Sequence, residues 1–409
     1  MNNNLFLKIK CVLYRIKMNI GIVIDYSKKS GGAEHFVLAE VDIIESLRKK
    51  RKENFVYIAT SKEIYIELKK KNLPTLLFEK NNFLNRLSFF LNIFSFLRKI
   101  VFKLKLNSFE NFLKKKEINF IYFLTPTKLV FFCRRIDFVS TVWEIQYKFF
   151  PNLLEYKNIF YDLQDRDDIS KFISLFAYRI FVGTLQSKND FIKFYNCDSS
   201  RIIEKLTQSN IVNKFLDLGI ENPKNDIGEY FFYPAQFWSH KNHIYIVEAF
   251  REIKKEKINL KCVFAGSDKG FLNTIKNKIQ EYELQDYFII KDYLSDEDII
   301  KFYLNCKAVV VPSVVGTFSF PHIEGFFFKK IVFSSIINLD KNFSERVIEL
   351  DLSDPKSLLR NYEWTLKNED QSAKLVENNR KFYEDRLSKR INIDIYSDII
   401  DNYLSDIKR

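Results

Sequence analysis

Residues Val309–Gly325 read VVVPSVVGTFSFPHIEG. An apolar, β-branched run ends at Pro312, which cannot donate a hydrogen bond to a neighbouring strand and therefore suits the exit of a strand. A loop of small and polar residues follows, and Pro321 favours the start of a helix. Glu324 comes three residues later, in the first turn of the predicted helix. A strand, a short loop and a helix N-terminus are typical of an anion site on an open α/β sheet, and the Glu324 carboxylate adds an acceptor for sugar hydroxyls.

The same alternation of strand and helix continues in both directions from this stretch. Asn19–Asp25 predicts a buried strand, followed by Gly31, Gly32 and a helix over Ala33–Lys49. Further strands are predicted at 55–60, 119–124, 138–142, 180–182, 230–233, 260–265, 288–290, 308–311 and 331–334. Further helices are predicted at 61–71, 244–255, 271–282, 297–304, 358–369 and 372–404, with a loop at 337–342. The pattern predicts the α/β class, as two Rossmann-like domains with a cleft between them.

The length of 409 residues also favours more than one domain. Pro223 and Gly228 interrupt a polar stretch, so we place the boundary at residues 220–229. The predicted division is a basic extension at 1–17, an N-terminal Rossmann-like domain at 18–220, a C-terminal one at 229–385 and a closing helix at 386–409 that crosses back to the N-terminal domain. Met18 stands directly before the first strand, so translation is expected to start at Met1 or at Met18.

Composition narrows the classes of partner. The net charge is +13, and the basic residues are scattered along the chain, which favours nucleic acid, anionic lipid or a phosphorylated ligand as partner. Nucleic acid is the least supported of the three, because the sequence has no zinc-ligand spacing, RNA-recognition motif or long polybasic arm. The five cysteines are far apart and odd in number, which is typical of reduced thiols in a cytosolic protein.

Residues 83–106 have an unusual pattern of apolar residues with one polar stripe at helical spacing. The longest uncharged run, Leu87–Leu97, is too short to span a bilayer. One interpretation is an interfacial helix that binds an anionic membrane, as a possible peripheral contact. The other is a helix buried against its own sheet, and the pattern alone does not decide between them.

Polar loops follow three strands of the second domain, at Gln236–His243, Gly266–Gly270 and Gly316–Glu324. Lys241 suits a diphosphate, since its ammonium supplies charge and helix amides supply donors. Glu144 follows the predicted strand at 138–142 and is either a site residue at the interdomain cleft or an ordinary loop acid. The histidine spacing lacks paired metal ligands, so no metal site is expected.

Six motifs occur in the order found in the family 4 glycosyltransferases, which are retaining GT-B enzymes that use nucleotide sugars. They are GGAEHFVLAE, TVWEIQYKFFPNLLEY, FVGTLQSKNDFIKFY, FYPAQFWSHKNHIYIVEAF, VFAGSDKG and DYLSDEDIIKFYLNCKAVVVPSVVGTFSFPHIEG. The chain resembles that family over most of residues 19–350. The resemblance implies a hexosyltransferase-type enzyme of bacterial surface polysaccharide (lipopolysaccharide or capsule) biosynthesis. Its N-terminal domain would bind a glycan or lipid-linked acceptor, and its C-terminal domain the nucleotide-sugar donor.

The resemblance also implies roles for single residues. Lys241, Glu324 and Glu144 would be catalytic: Lys241 would stabilise the leaving diphosphate, and Glu324 would hydrogen-bond the nucleotide ribose or the donor sugar. The donor-binding residues would be Gly31, Gly32, Gln236, Ser267, Tyr293, Leu294, Phe318, Ser319 and Phe320. No cofactor or metal is expected, because Lys241 and helix dipoles supply the positive charge. The implied location is the cytoplasm, with a possible peripheral position on the inner face of the plasma membrane.

Two positions depart from the family pattern. Gly316 stands where the first of two paired glutamates would fall, and neutral Gln236 stands near the place of a basic partner of the lysine. The alternative hypothesis is therefore a non-catalytic GT-B-like subunit that binds nucleotide or glycan and supports a partner enzyme.

Overall fold

The computed structural model describes residues 18–26, 32–79, 108–143, 145–153, 163–220, 226–292 and 294–408. These residues form two parallel β-sheets with helices on their faces. The predicted α/β class, with two Rossmann-like domains and a cleft between them, is confirmed.

The first sheet has seven parallel strands in the order β3-β2-β1-β4-β5-β6-β7. Its strands are β1 Asn19–Ile24, β2 Asn54–Ala59, β3 Thr75–Leu77, β4 Phe120–Phe123, β5 Asp137–Thr141, β6 Arg179–Val182 and β7 Ile202–Glu204. Its helices are α1 Gly32–Arg48, α2 Lys62–Lys70, α3 Ser108–Lys115, α4 Leu163–Phe176 and α5 Leu185–Tyr195. Central strands such as β4 are buried along their whole length, because helices cover both faces of the sheet.

The second sheet has six parallel strands in the order β10-β9-β8-β11-β12-β13. Its strands are β8 Tyr230–Pro234, β9 Lys261–Ala265, β10 Phe288–Lys291, β11 Ala308–Val311, β12 Ile331–Ser334 and β13 Ile348–Glu349. The helices of this half are α6 Asn210–Leu218, α7 His243–Lys255, α8 Leu272–Glu281, α9 Asp296–Asn305, α10 Phe320–Phe327, α11 Lys341–Ser344, α12 Lys356–Lys367 and α13 Glu369–Leu387. The last helix, α14 Lys389–Asp406, packs on the first sheet.

The predicted strands lie within two residues of the observed ones. The short strands β3, β7 and β13 are absent from the prediction, and all three have only two or three residues. The predicted loop at 337–342 is wrong at its end, because Asp340 accepts a hydrogen bond from the Asn342 amide and starts α11 there. The stretch predicted as helical at 372–404 is helical apart from Ser388, whose extended backbone separates α13 from α14.

The chain crosses between the two halves twice. Leu206, Ile211 and Val212 belong to the core of the second sheet, so α6 packs on that sheet although it precedes the predicted boundary at 220–229. In the other direction, Tyr396 and Ile400 of α14 lie in the core of the first sheet. The residue numbers at which we divide the chain into domains remain a prediction.

Several predictions fall on residues 1–17 and 83–106, which lie outside the described residues. Within the described ranges, no helix is long and apolar enough to cross a membrane. The four described cysteines are buried and unpaired: Cys133, Cys197, Cys262 and Cys306.

Candidate functional site

The strand order reverses at one point in each sheet, between β1 and β4 and between β8 and β11. Loops that leave such neighbouring strands diverge onto opposite faces, which opens a crevice at the carboxyl ends of the strands. In the second sheet the two loops are hydrogen-bonded to each other, since the Val314 amide donates to the His240 carbonyl at 3.0 Å. The Tyr233 hydroxyl donates to the Lys241 carbonyl at 3.0 Å and lies 3.2 Å from Ser313 Oγ. The loops after β8 and β11 therefore form one unit.

Lys241 lies in this unit, at the end of a short turn before α7. Asn242 has a left-handed backbone with φ 53°, which turns the chain from that turn into the helix. The half-buried Lys241 ammonium helps to lower the pKa of both His243 and His322, so it lies near both imidazoles. The predicted cation is thus placed beside the N-terminal turn of α10.

His322 fixes that N-terminal turn. The backbone amide of Ser319 donates to its Nδ1 at 3.1 Å, and the Ser319 hydroxyl lies 2.9 Å from the same atom. Its Nε2 lies 2.9 Å from Ser334 Oγ, which itself donates to a backbone carbonyl. This network assigns the neutral tautomer with hydrogen on Nε2. Burial lowers the pKa of His322 to about 3, so it is a neutral structural cap of the turn. Sequence analysis missed this cap, for which the spacing of Ser319 and His322 would have been the signal.

Glu324 is the fifth residue of α10, one position further into the helix than the sequence predicted, and it is 5% exposed. Its Oε1 accepts a hydrogen bond from Ser209 Oγ at 2.5 Å, and its Oε2 accepts one from the Tyr303 hydroxyl at 2.5 Å. Burial raises the pKa of Glu324, while these two hydrogen bonds and the charge of His35 act in the opposite direction. The carboxylate is therefore held inside the domain interface, and neither Ser209 nor Tyr303 was expected from the sequence.

The loop between β11 and α10 contacts the first domain. The Phe318 ring packs against Gly183, where an added Cβ would lie 2.4 Å from a ring atom. Thr317 Oγ1 lies 3.0 Å from Ser187 Oγ. Gly316 has φ 119°, a conformation in which an L side chain is strained. A glutamate at position 316 would therefore require a different conformation of this loop.

Gln236 and Ser267 hold two neighbouring loops together. Gln236 Nε2 donates to Ser267 Oγ at 3.0 Å, and Gln236 Oε1 accepts from Trp238 Nε1 at 3.1 Å. Gly266 permits this approach, because an added Cβ would lie 2.3 Å from the Ala235 carbonyl oxygen. The side chain of Gln236 thus links the loops after β8 and β9.

The remaining predicted residues are placed as follows. Gly32 begins α1, and an added Cβ would lie 3.8 Å from the Phe320 ring, so Gly32 faces the start of α10 across the cleft. Leu294 is partly buried against the core of the second sheet. Predicted site residues that lie outside the described residues are Gly31, Glu144 and Tyr293. Among the described residues, no group of three or more His, Cys, Asp or Glu side chains is placed to hold a metal ion.

Two Rossmann-like sheets, with polar loops from both domains at the cleft between them, define the GT-B fold. Residues 220–382 match the family model described as Glycosyl transferases group 1. The resemblance seen in the sequence is therefore confirmed at the level of this group. The assignment to family 4 is compatible with the match and stays a prediction. No curated protein matches the sequence.

Solved structures show the same fold over nearly the whole chain. HepE (Alr3699) from Anabaena, in complex with UDP and glucose, is 14% identical with a TM-score of 0.69, and the match covers 94% of this chain and 100% of HepE. A glycosyltransferase from Rickettsia africae is 17% identical with a TM-score of 0.65, covering 95% and 100% of the two chains. WaaG, a glycosyltransferase involved in lipopolysaccharide biosynthesis, is 10% identical with a TM-score of 0.61, covering 92% and 99%.

Proposed function

We propose that this protein is a retaining, metal-independent hexosyltransferase of family 4. It would move a sugar from a nucleotide-sugar donor to a glycan or lipid-linked acceptor in the synthesis of bacterial lipopolysaccharide or capsule. The observation that carries the proposal is the convergence of Lys241 and the N-terminal turn of α10 at the switch point of the second sheet, opposite Gly32. A cation beside a helix N-terminus, at a switch point, suits a diphosphate.

The chemistry follows from the charges in this crevice. As the bond between the sugar and the diphosphate breaks, negative charge grows on the leaving diphosphate. The Lys241 ammonium and the positive end of the α10 dipole stabilise that charge, which lowers the barrier. Each oxygen of the Glu324 carboxylate already accepts one hydrogen bond and has a further lone pair for a hydroxyl of the ribose or sugar.

The neighbours support a nucleotide sugar as donor. HepE is described with UDP and glucose, and WaaG is described as acting in lipopolysaccharide biosynthesis. We extend the donor class to this chain and propose an acceptor that is part of a surface glycan. The proposed location is the cytoplasm, with peripheral attachment to the inner face of the plasma membrane through residues 83–106.

The test combines binding with turnover. UDP-, GDP- and dTDP-glucose are screened for an increase in Tm, because a ligand that binds the native state stabilises it. Release of the nucleoside diphosphate is then measured with the stabilising donor and extracted lipid-linked glycans.

Lys241→Ala should abolish turnover without lowering the Tm of the free protein. Lys307→Ala is the matched control, since Lys307 precedes the opposite end of β11 and pairs with Glu229 at 2.6 Å. Full activity of Lys241→Ala would reject the assigned role.

A second candidate function is a non-catalytic subunit that binds nucleotide or glycan and supports a partner enzyme. It is favoured by Gly316, whose φ of 119° disfavours any side chain, and by Gln236, whose amide is used in bridging two loops. Stabilisation by UDP without transfer to any extracted acceptor would favour this function over the first.

A further inference from the structure

The first crossing of the chain between the two domains passes next to Glu324. Leu206 and Ile211 lie in the core of the second sheet, whereas Lys205 pairs with Glu40 in the first domain. Ser209 lies between Leu206 and Ile211 in the sequence and is 0% exposed. Its hydroxyl donates to Glu324 Oε1 at 2.5 Å and accepts a hydrogen bond from the Ile211 amide at 3.1 Å. The donor capacity of this hydroxyl is therefore committed to Glu324.

The second donor comes from within the second domain. Tyr303, on α9, is 0% exposed, and its hydroxyl donates to Glu324 Oε2 at 2.5 Å. A carboxylate has about four acceptor positions, so two positions stay available after these bonds are made. Two fixed donors on different oxygens define the rotation of the carboxyl group, so the available lone pairs point in fixed directions.

We propose that Ser209 and Tyr303 are positioning residues that orient Glu324 for the hydroxyls of the donor. The inference rests on the proposed function, since it assigns a donor contact to Glu324.

Other charged and titratable groups also act on this carboxylate. His35 of α1 lowers the pKa of Glu324, and Asp296 at the start of α9 raises it. Tyr383 of α13 also faces it, because the Glu324 charge raises the pKa of that phenol. Both hydrogen-bond donors favour the charged carboxylate, so removal of either one should raise its pKa further.

The experiment compares Ser209→Ala and Tyr303→Phe with the wild type. We expect the KM for the nucleotide sugar to rise about ten-fold in each variant, for one lost hydrogen bond of this kind. The acidic limb of the pH profile of kcat/KM should move up by about one pH unit. Ser209→Thr keeps the hydroxyl and should restore both values. Tyr230→Phe is the matched control, since the buried Tyr230 hydroxyl donates to the Phe302 carbonyl at 2.9 Å and does not contact Glu324.

A second readout does not depend on activity. The Glu324 carboxyl is titrated by ¹³C NMR of glutamate-labelled protein, and its pKa should rise in Ser209→Ala and Tyr303→Phe alone. Unchanged KM, pH limb and carboxyl pKa in these two variants would overturn the inference while leaving the proposed function intact. Absence of both UDP binding and transfer in the wild type would instead reject the proposed function, and with it the donor contact.

Discussion

The backbone amide of Gln186 donates a hydrogen bond of 2.9 Å to a carboxylate oxygen of Asp340, across the two domains. Gln186 is in the first turn of α5, so the carboxylate lies at the positive end of that helix. The other oxygen of Asp340 accepts from the Asn342 amide at 2.9 Å, and the Asp340 amide donates to the Thr317 carbonyl at 2.9 Å. Asp340 thereby connects the loop before α10 to the first domain.

Asp340→Asn should weaken this connection. The side chain keeps its shape but loses its charge, so we expect a loss of about 1 kcal/mol of stability and a looser domain contact. Urea unfolding measures the first effect, and small-angle X-ray scattering with limited proteolysis measures the second. The control is Asp268→Asn, because Asp268 accepts from the Gly270 amide at 2.7 Å and the Leu272 amide at 3.2 Å at the start of α8, within the second domain. Equal effects of the two substitutions would show that the contact to α5 contributes nothing.

Gly183→Ala should disturb the same interface by a steric route. The added Cβ would lie 2.4 Å from the Phe318 ring, so the loop before α10 must move away from the first domain. We expect a Tm lower by several degrees and a higher KM for the donor. In the double variant with Gly183→Ala, Phe318→Leu makes room for the added methyl group and should reverse most of the decrease in Tm. If Gly183→Ala alone unfolds like the wild type, the ring does not press on Gly183 in solution.

The two-sheet fold was predictable, because apolar runs of strand length alternate with helical patterns in both halves. The three missed strands, β3, β7 and β13, are too short to show a pattern. The placement of α6 was not predictable either. Its apolar residues pack in the core of the second sheet, but local sequence does not tell which of two sheets a helix covers.

The site was predictable where it depends on position along the chain. Lys241 and Ser319 follow strands that end at the switch point, and parallel strands bring such ends together. The contacts of Glu324 were not predictable, because Ser209 and Tyr303 are 115 and 21 residues away in the sequence. Likewise, the strain that φ 119° would impose on a side chain at Gly316 is a property of the folded loop.

Lys205→Met should strongly destabilise the first domain. Lys205 and Glu40 form a buried ion pair whose side chains are 1% and 0% exposed, and the Lys205 ammonium lies 4.9 Å from the ring centre of Tyr396 on α14. Removal of the lysine leaves a buried carboxylate without its cation, which costs about 3–5 kcal/mol.

The double variant Glu40→Gln with Lys205→Met should lose less stability than Lys205→Met alone, because no unpaired charge stays buried. Urea titration of both variants measures the difference. Lys301→Met is the control: Lys301 pairs with Asp298 on the surface, with side chains 44% and 47% exposed, and we expect a change below about 0.5 kcal/mol. A double variant as unstable as the single one would contradict this interpretation.

His243 and His322 should make the protein acid-sensitive. Burial lowers the pKa of each to about 3, so both are neutral in the native state, whereas both titrate near 6.5 after unfolding. Between these values the unfolded state binds more protons, so stability is complete above pH 6.5 and falls as the pH falls towards 3. At pH 5 each histidine should lower the free energy of unfolding by roughly 2 kcal/mol relative to neutral pH.

Urea unfolding at several pH values measures how the free energy of unfolding changes with pH. His243→Phe should reduce this slope, and the phenyl ring should fit because His243 packs among the rings of Tyr233, Phe237 and Phe264. A His243→Phe variant with an unchanged slope would mean that His243 is not held neutral by the fold.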